Sequence, residues 1–204
     1  MTEAEEQILE LFKKKAAVVS AKVVEVKDLE EAMSYALDVC EKKDFCELVY
    51  VGEGEKGGRY GQATQKMFAA PGLSDRQFGG LEKAGREKGF TVIREGMRGY
   101  VSGIDVGFSI ADLGIADTGC CVLVSGGEDA RLAGMVCEIH VVALAKSKIV
   151  NSLDDAENFM NGIMDKGAMF ISFISGPSRT ADIERVLTIG VHGPLELHVA
   201  LMES

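Results

Sequence analysis

The sequence predicts an α/β fold, in which an open, mixed and mainly parallel sheet is flanked by helices. Three observations support this prediction. Helix and strand patterns alternate through the first half of the chain, two helix starts carry capping residues, and short apolar runs follow one another in the second half. Because strands that alternate with helices usually pair in parallel, most of the sheet should be parallel.

The first half contains three predicted helices. An amphipathic helix lies at 3–16, the capping residue Asp28 begins a second, and the capping box of Ser74 and Gln77 begins a third. Strands are predicted between them, at 22–26, 47–51 and 90–93. This order is typical of βαβ units.

The second half has a different pattern, because its apolar runs are separated by one predicted helix, at 152–166. The runs lie at 120–124, 139–144, 169–174, 186–191 and 195–201. Some of these strands should therefore pair antiparallel. No repeat or proline-rich linker divides the chain, so we expect one domain over 1–204.

The charge of the chain limits its expected partners. Its 204 residues include 32 acidic and 22 basic side chains, for a formal net charge of -10. Such a chain repels phosphate backbones and anionic lipid surfaces, so we expect neither nucleic acid nor membrane as a partner. The acidic start lacks the layout of a signal peptide and no apolar run could span a bilayer, so we expect a cytoplasmic protein.

The five cysteines show no spacing that is typical of a metal site. Cys120 and Cys121 are adjacent and should point to opposite faces of a strand, which prevents both thiolates from reaching one metal. We therefore expect reduced thiols and no iron–sulfur cluster on this chain. The sequence leaves any other cofactor unidentified.

A glycine-rich segment at 52–61 has the spacing GxGxxG directly after a predicted strand. Such glycines let a backbone approach a pyrophosphate. However, no helix start follows the segment, as a dinucleotide site would require. A glycine-rich loop without a nucleotide is the favoured interpretation.

A second polar segment, Asp117-Thr118-Gly119, interrupts an apolar path into the strand predicted at 120–124. In one interpretation, the two side chains bond turn amides and Gly119 supplies a positive φ. In the other, Asp117 and Thr118 contact a ligand. Arg131 follows the same strand and could place a guanidinium near this rim.

The third segment follows the strand predicted at 169–174 and is rich in hydrogen-bond donors. Gly176 forms a tight turn, the hydroxyls of Ser178 and Thr180 could surround an anion, and Arg179 adds positive charge. Asp182 lies a few residues further on. Because loops at strand ends are where open α/β sheets bind ligands, this segment predicts an anion site.

His192 is the histidine that the sequence favours for chemistry, because it lies in a turn next to Gly193. A histidine in such a turn can act as acid, base or anion ligand near neutral pH, and Asp182 could orient it. A purely structural turn histidine is the alternative. His140 and His198 lie within predicted strands and are weaker candidates.

Together these segments resemble the signatures of the LUD domain, the lactate-utilisation family. Residues 111–119 resemble its Ala-Ile-Ala-Glu/Asp-Thr-Gly motif, 174–184 its Gly-Pro-Ser-x-Thr-Ala-Asp-Ile-Glu motif, and 190–194 its Gly-Val-His-Gly-Pro motif. An arginine-led strand at 131–144 lies between them. Cys120 and Cys137 depart from the family pattern at sheet positions.

The chain is most similar to the small, C-type members of the family, which lack the cysteine cluster of the iron–sulfur members. The resemblance implies a fold like that of the ribose-5-phosphate isomerase and CoA-transferase superfamily. It also implies work beside iron–sulfur lactate-utilisation proteins that oxidise L-lactate to pyruvate.

Three functional hypotheses follow. The leading one is an accessory or regulatory subunit of lactate oxidation, without an iron–sulfur cluster, that binds a small anionic ligand. Its pocket would join 117–119, 178–182 and 192–194, with His192 and Asp117 as catalytic candidates if the chain itself catalyses a reaction. The second is a stand-alone ligase or transferase related to 5-formyltetrahydrofolate cyclo-ligase, and the third is an interaction module whose motifs only shape turns.

Overall fold

A computed structural model describes most of the chain. The described residues are 2–45, 49–51, 59–61, 65–100, 103–164, 167, 169–180, 188–189 and 193–203.

Five α-helices and fourteen strands lie in these residues. The helices are α1 Glu3–Val18, α2 Leu29–Lys42, α3 Asp75–Glu87, α4 Glu128–Met135 and α5 Glu157–Met164. The first seven strands are β1 Ala21–Val26, β2 Val49–Val51, β3 Arg59–Gly61, β4 Met67–Ala69, β5 Thr91–Ile93, β6 Ile104–Ile110 and β7 Leu113–Ile115. The others are β8 Cys120–Ser125, β9 Cys137–Ala145, β10 Ile149–Val150, β11 Phe170–Ile174, β12 Arg179–Thr180, β13 Thr188–Ile189 and β14 Glu196–Met202.

The main sheet has six strands in the order β1-β14-β9-β6-β4-β5, and all neighbours pair in parallel. One face packs against α2 and α3 through a core that includes Phe68, Phe108 and Val141. Its other face packs against α1 through Phe12, Val142 and other apolar side chains. The predicted parallel sheet flanked by helices is thus confirmed.

The antiparallel pairs predicted in the second half are also confirmed, but they form a separate sheet. This small sheet has the order β10-β7-β8-β11, in which β8 pairs antiparallel with both β7 and β11. It packs against the same face of the main sheet as α1, because Cys121 and Leu123 of β8 share the core of α1. The antiparallel strands thus form a second layer on the α1 side of the main sheet, whereas the sequence predicted one mixed sheet.

The helix starts follow the predicted capping chemistry. Asp28 Oδ1 accepts a hydrogen bond from the backbone amide of Glu31 at 3.0 Å, and Ser74 and Gln77 form a reciprocal capping box. These bonds satisfy amides that a helix start leaves without partners. The helix predicted at 152–166 is shorter than expected, because a 3-10 turn at Asp154–Ala156 precedes α5.

Within the described part of the chain, no helix has both the length and the hydropathy of a membrane span.

Candidate functional site

Asp117, Thr118 and Gly119 form the tight turn between β7 and β8. The side chains of Asp117 and Thr118 are exposed, and the Asp117 amide donates to the carbonyl of Asn151 at 2.9 Å. Gly119 has a φ of +65°, and a Cβ atom there would lie 2.4 Å from the backbone nitrogen of Ala16. The glycine of this motif is therefore required by its packing against α1, together with its left-handed backbone.

Gly176 has a similar role to Gly119 and lies just after the neighbouring strand, β11. Since Ile174 of β11 pairs with Cys121 of β8, the segments after β11 and before β8 leave the small sheet side by side. Gly176 has a φ of +72°, and a Cβ atom there would lie 2.1 Å from the carbonyl oxygen of Val19, at the end of α1. Two of the predicted motifs thus meet beside the C-terminal turn of one helix.

Arg179 is bonded to the same helix end. Its guanidinium donates to the carbonyl oxygen of Val19 at 2.7 Å and to the hydroxyl of Ser20. A cation at a helix C-terminus satisfies free carbonyls and interacts favourably with the helix dipole. This contact gives Arg179 a structural role.

Ser178 lies against the loop that precedes β14. Its amide donates to the carbonyl of Pro194 at 2.8 Å, and a Cβ atom at Gly193 would lie 3.1 Å from the Ser178 Cβ. The loops that contain Ser178 and Gly193, which the sequence analysis placed in one pocket, are therefore adjacent at these residues. Among the described residues, no hydrogen bond links Ser178 to the turn at Asp117.

The structure does not test the other residues of the pocket that the sequence predicted, so they remain predictions. Asp182 and His192 lie outside the described residues, as does most of the glycine-rich segment at 52–61. Thr180 lies in β12, whose backbone pairs with β13.

Arg131 lines a cavity of about 500 Å³ between α4, the main sheet and the small sheet. We call this cavity the α4 pocket. Its polar lining consists of Ser109 and His140 from the main sheet, Asp112 from the link between β6 and β7, Ser125 from β8, Arg131 from α4, and Ser172 from β11. Of the residues that the sequence assigned to a site, Arg131 is the one that lines this pocket.

Three residues of the α4 pocket have buried polar atoms without a hydrogen-bond partner. In the described part of the chain, three buried side-chain atoms have no hydrogen-bond partner: Ser125 Oγ, Arg131 Nε and His140 Nδ1. All three residues line the α4 pocket. An unpaired buried polar group costs about 1–3 kcal/mol, so three of them around one cavity need an explanation other than stability.

His140 is fully buried on β9, in the middle of the main sheet. Its Nε2 lies 3.0 Å from the hydroxyl of Ser109 on β6. Burial lowers the pKa of His140 to about 4, because the protein interior disfavours the charged imidazole. At neutral pH the ring is therefore uncharged, and Nδ1 can donate or accept a hydrogen bond according to the tautomer.

Arg131 supplies the positive charge of the pocket. Its guanidinium lies 3.8 Å from the centre of the Phe170 ring, a cation–π arrangement that fixes the plane of the group. Asp112 is held by the amide of Val124, which donates to its carboxylate at 2.8 Å. The pocket thus combines one held cation, one held carboxylate and several neutral donors.

His198, the other described histidine, is fully engaged by its neighbours. Its Nδ1 lies 2.8 Å from the hydroxyl of Tyr35, and its Nε2 lies 2.8 Å from the carboxylate of Glu196. Lys22 pairs with that same carboxylate at 2.6 Å. His140 has a nitrogen without a partner and His198 does not, so the α4 pocket is a better candidate site than the surroundings of His198.

Ser109, Ser125 and His140 were not assigned to a site from the sequence. All three lie within strands, where a polar residue is usually paired or solvent-exposed. The available signal was a polar residue within a mostly apolar strand, since β6 and β9 are buried along almost their whole length.

The adjacent cysteines lie on opposite faces of β8, as predicted. Cys121 packs in the core beneath α1, whereas Cys120 packs on the other side with Leu113 and Ile115. Burial raises the pKa of Cys121 to about 12, so this thiol is neutral at physiological pH.

Fold and site define an α/β protein with a parallel six-stranded sheet, a second small sheet, and a polar pocket enclosed between them. The chain belongs to the LUD domain family, whose sequence model matches residues 9–202. The match covers the described strands of both sheets.

Two curated relatives are Lactate utilization protein C of Geobacillus sp. (strain WCH70) and Lactate utilization protein C 1 of Bacillus mycoides (strain KBAB4). The first is 35% identical over 100 residues, which cover 48% of this chain and 42% of the relative. The second is 32% identical over 108 residues, which cover 52% of this chain and 46% of the relative. The aligned part is therefore less than half the length of these relatives.

A crystal structure of a DUF162 family protein from Deinococcus radiodurans has a similar fold. The TM-score is 0.58 at 14% sequence identity, and the alignment covers 97% of this chain and 98% of the other. At this identity the likeness concerns the fold alone.

Proposed function

We propose that this chain is a lactate-utilisation protein, an accessory or regulatory subunit that binds a small anionic ligand in the α4 pocket. The names of the relatives in Geobacillus and Bacillus support the lactate-utilisation part. One observation carries the binding part: three residues that line a single cavity each have a buried polar atom without a hydrogen-bond partner, and one of the three is an arginine.

The anion is expected to bind at Arg131. Arg131 lines the cavity and its Nε has no hydrogen-bond partner among the described residues, so a ligand carboxylate in the cavity would be a partner for the guanidinium. Hydrogen bonds to charged groups contribute about 1.5–3 kcal/mol each, and Ser125 Oγ is a second free group in the same lining. The net charge of the chain opposes anion binding, but charges beyond about 8 Å are largely screened at physiological salt.

The family motifs would shape the entrance of this pocket. A Cβ atom at Gly193 would lie 3.6 Å from the carbonyl oxygen of Met135, and Met135 lines the α4 pocket. Ser178 lies against Gly193, which brings the motif loops next to the pocket. We therefore keep Asp182 and His192 as proposed contacts of the same ligand.

Calorimetry with short monocarboxylates such as lactate and pyruvate tests the binding site. Replacing Arg131 by glutamine should weaken binding at least about tenfold, because a charged hydrogen-bond donor is lost. Arg86→Gln is the matched control, since Arg86 is exposed and pairs with Glu82 within α3. Equal affinity in the wild type and Arg131→Gln, or no binding to the wild type, would contradict the proposal.

A double variant, Ser178→Ala with Thr180→Ala, separates the two possible anion sites. If the anion binds at the motif loop rather than at Arg131, this variant loses affinity and Arg131→Gln keeps it.

The lactate role is tested in the host, where deletion of the gene should abolish growth on lactate and the wild-type copy should restore it.

We propose that the chain carries no iron–sulfur cluster and works beside partners that do. Cluster ligands are thiolates, whereas burial raises the pKa of Cys40, Cys121 and Cys137 to about 12. Iron and sulfide analysis of anaerobically purified protein tests the first part. Co-purification of iron–sulfur proteins with the tagged chain tests the second.

The alternative of a stand-alone ligase or transferase requires a nucleotide, for which the segment at 52–61 is the candidate. Titration with nucleotides distinguishes this alternative from the anion-binding subunit. A third possibility, an interaction module, would leave growth on lactate intact after Arg131→Gln.

A further inference from the structure

We infer that the α4 pocket takes a monocarboxylate with an apolar body, larger than a three-carbon acid. This inference rests on the proposed function, because it assumes that the pocket binds an anion at Arg131. Three features of the pocket support it: its size, its lining and its balance of charge.

The size of the pocket exceeds the needs of a three-carbon acid. Cavities of about 300–1,000 Å³ hold drug-sized ligands, and this one measures about 500 Å³. It also extends along the small sheet, because it is lined from Ser125, which pairs with Phe170, to Ile174 on the same strand pair. At about 3.4 Å per residue, that distance is roughly 13 Å.

The lining also contains apolar side chains along this length. Arg131 lies near the Phe170 end, where its guanidinium contacts the aromatic ring. Further along the same face of the small sheet, the lining includes Leu123, which pairs with Ser172, and Ile174. A ligand with its carboxylate at Arg131 would therefore place its body against an apolar surface, from which it gains affinity by displacing water.

The charge of the lining favours a single negative charge on the ligand. Arg131 is the one cationic side chain among the described residues that line the pocket, since burial keeps His140 uncharged. The carboxylate of Asp112 in the same lining disfavours further negative charge. A phosphate group carries about −1.5 to −2 charges at neutral pH, so a carboxylate fits better.

His140 and Ser109 add an uncharged polar pair to the lining of the pocket. The free Nδ1 of His140 belongs to a neutral ring, and its other nitrogen is bonded to Ser109. Such a pair suits a hydroxyl or carbonyl oxygen of the ligand better than a second carboxylate.

The test is calorimetry with 2-hydroxy acids of increasing chain length, from lactate to 2-hydroxyhexanoate, and with inorganic phosphate. Burial of each methylene should raise affinity about fourfold, so the six-carbon acid should bind about fiftyfold tighter than lactate. Phosphate should bind more weakly than either acid.

A variant that narrows the pocket controls for non-specific apolar binding. Ala130 lines the pocket on α4, and leucine is tolerated well in a helix. Ala130→Leu should reduce the ratio between the two affinities at least about fourfold, because roughly one or two methylenes lose their space. Ala4→Leu, at an exposed site on α1, should leave this ratio unchanged.

The outcomes separate the two proposals. If lactate and 2-hydroxyhexanoate bind equally well and both depend on Arg131, the ligand class is wrong while the anion site stands. If phosphate binds more tightly than both acids, the argument from charge is wrong. If no carboxylate binds, the proposed function itself fails.

Discussion

Replacing Gly176 by alanine is expected to lower the free energy of unfolding by about 3 kcal/mol or more. The left-handed backbone of a non-glycine residue costs about 1–2 kcal/mol, and overpacking adds about 1–3 kcal/mol. Both terms apply, because φ is +72° and the new Cβ would lie 2.1 Å from the carbonyl oxygen of Val19. That oxygen also accepts the hydrogen bond from Arg179, so a shift of either group disturbs the end of α1.

Gly119→Ala should have a similar effect, since the new Cβ would lie 2.4 Å from the backbone nitrogen of Ala16. Gly89→Ala is the matched control: Gly89 has a φ of +80°, but no atom lies within 4 Å of its built Cβ. Urea denaturation should show a loss of about 1 kcal/mol for the control, and of about 3 kcal/mol or more for the two motif glycines. Equal losses at all three positions would contradict the close packing against α1.

These glycines explain why the two motifs occur together. The turn before β8 and the segment after β11 leave adjacent strands, and both must pass close to the C-terminal part of α1. The sequence predicted a positive φ at Gly119 as one of two interpretations, and the structure bears it out. Part of the signature that identifies the family is therefore a packing requirement.

Local chemistry made much of the fold predictable. Capping at Asp28 and Ser74 depends on residues three positions apart, so these helix starts could be located from the sequence. The central strand β6 was not predicted, because polar residues interrupt its apolar pattern. Asp105 is one of them: its carboxylate accepts from Lys43 at 3.0 Å and from the Met67 amide at 2.7 Å, contacts that exist only in the folded sheet.

The candidate site was less predictable than the fold. Arg131 was found because it follows a strand end, where ligand sites are common. Ser109 and His140 are 31 residues apart and meet because β6 and β9 are neighbours in the main sheet. That adjacency depends on strand order, which hydrophobic periodicity does not specify. A histidine on a buried strand therefore looks like a core residue until the structure shows that it borders a cavity and has a nitrogen without a partner.

The second large expected effect is a fall in the free energy of unfolding in mild acid, and it is caused by the buried His140. Its pKa is about 4 in the folded protein, since burial disfavours the charged ring, whereas an unfolded chain has a histidine pKa near 6.5. Between these values the unfolded state binds a proton that the folded state does not. Stability is therefore lost as the pH falls through 6.5, and the loss levels off below about pH 4.

The size of this loss follows from the same two values, at about 1.4 kcal/mol for each pKa unit, and amounts to about 3 kcal/mol. Urea denaturation of wild type and His140→Asn at several pH values should show the wild type losing its advantage over the variant between about pH 6.5 and pH 4. Glu25 does not obscure this window, because Lys13 and Lys146 lower its pKa to about 2 and its contribution is lost only below its usual pKa of 4.5. Nuclear magnetic resonance gives an independent measurement: the His140 ring should remain uncharged at pH 5.5, where an exposed histidine is mostly protonated. Two outcomes would contradict this prediction: a His140 that titrates near 6.5, or a stability difference that does not change with pH. Either would mean that water reaches the His140 ring.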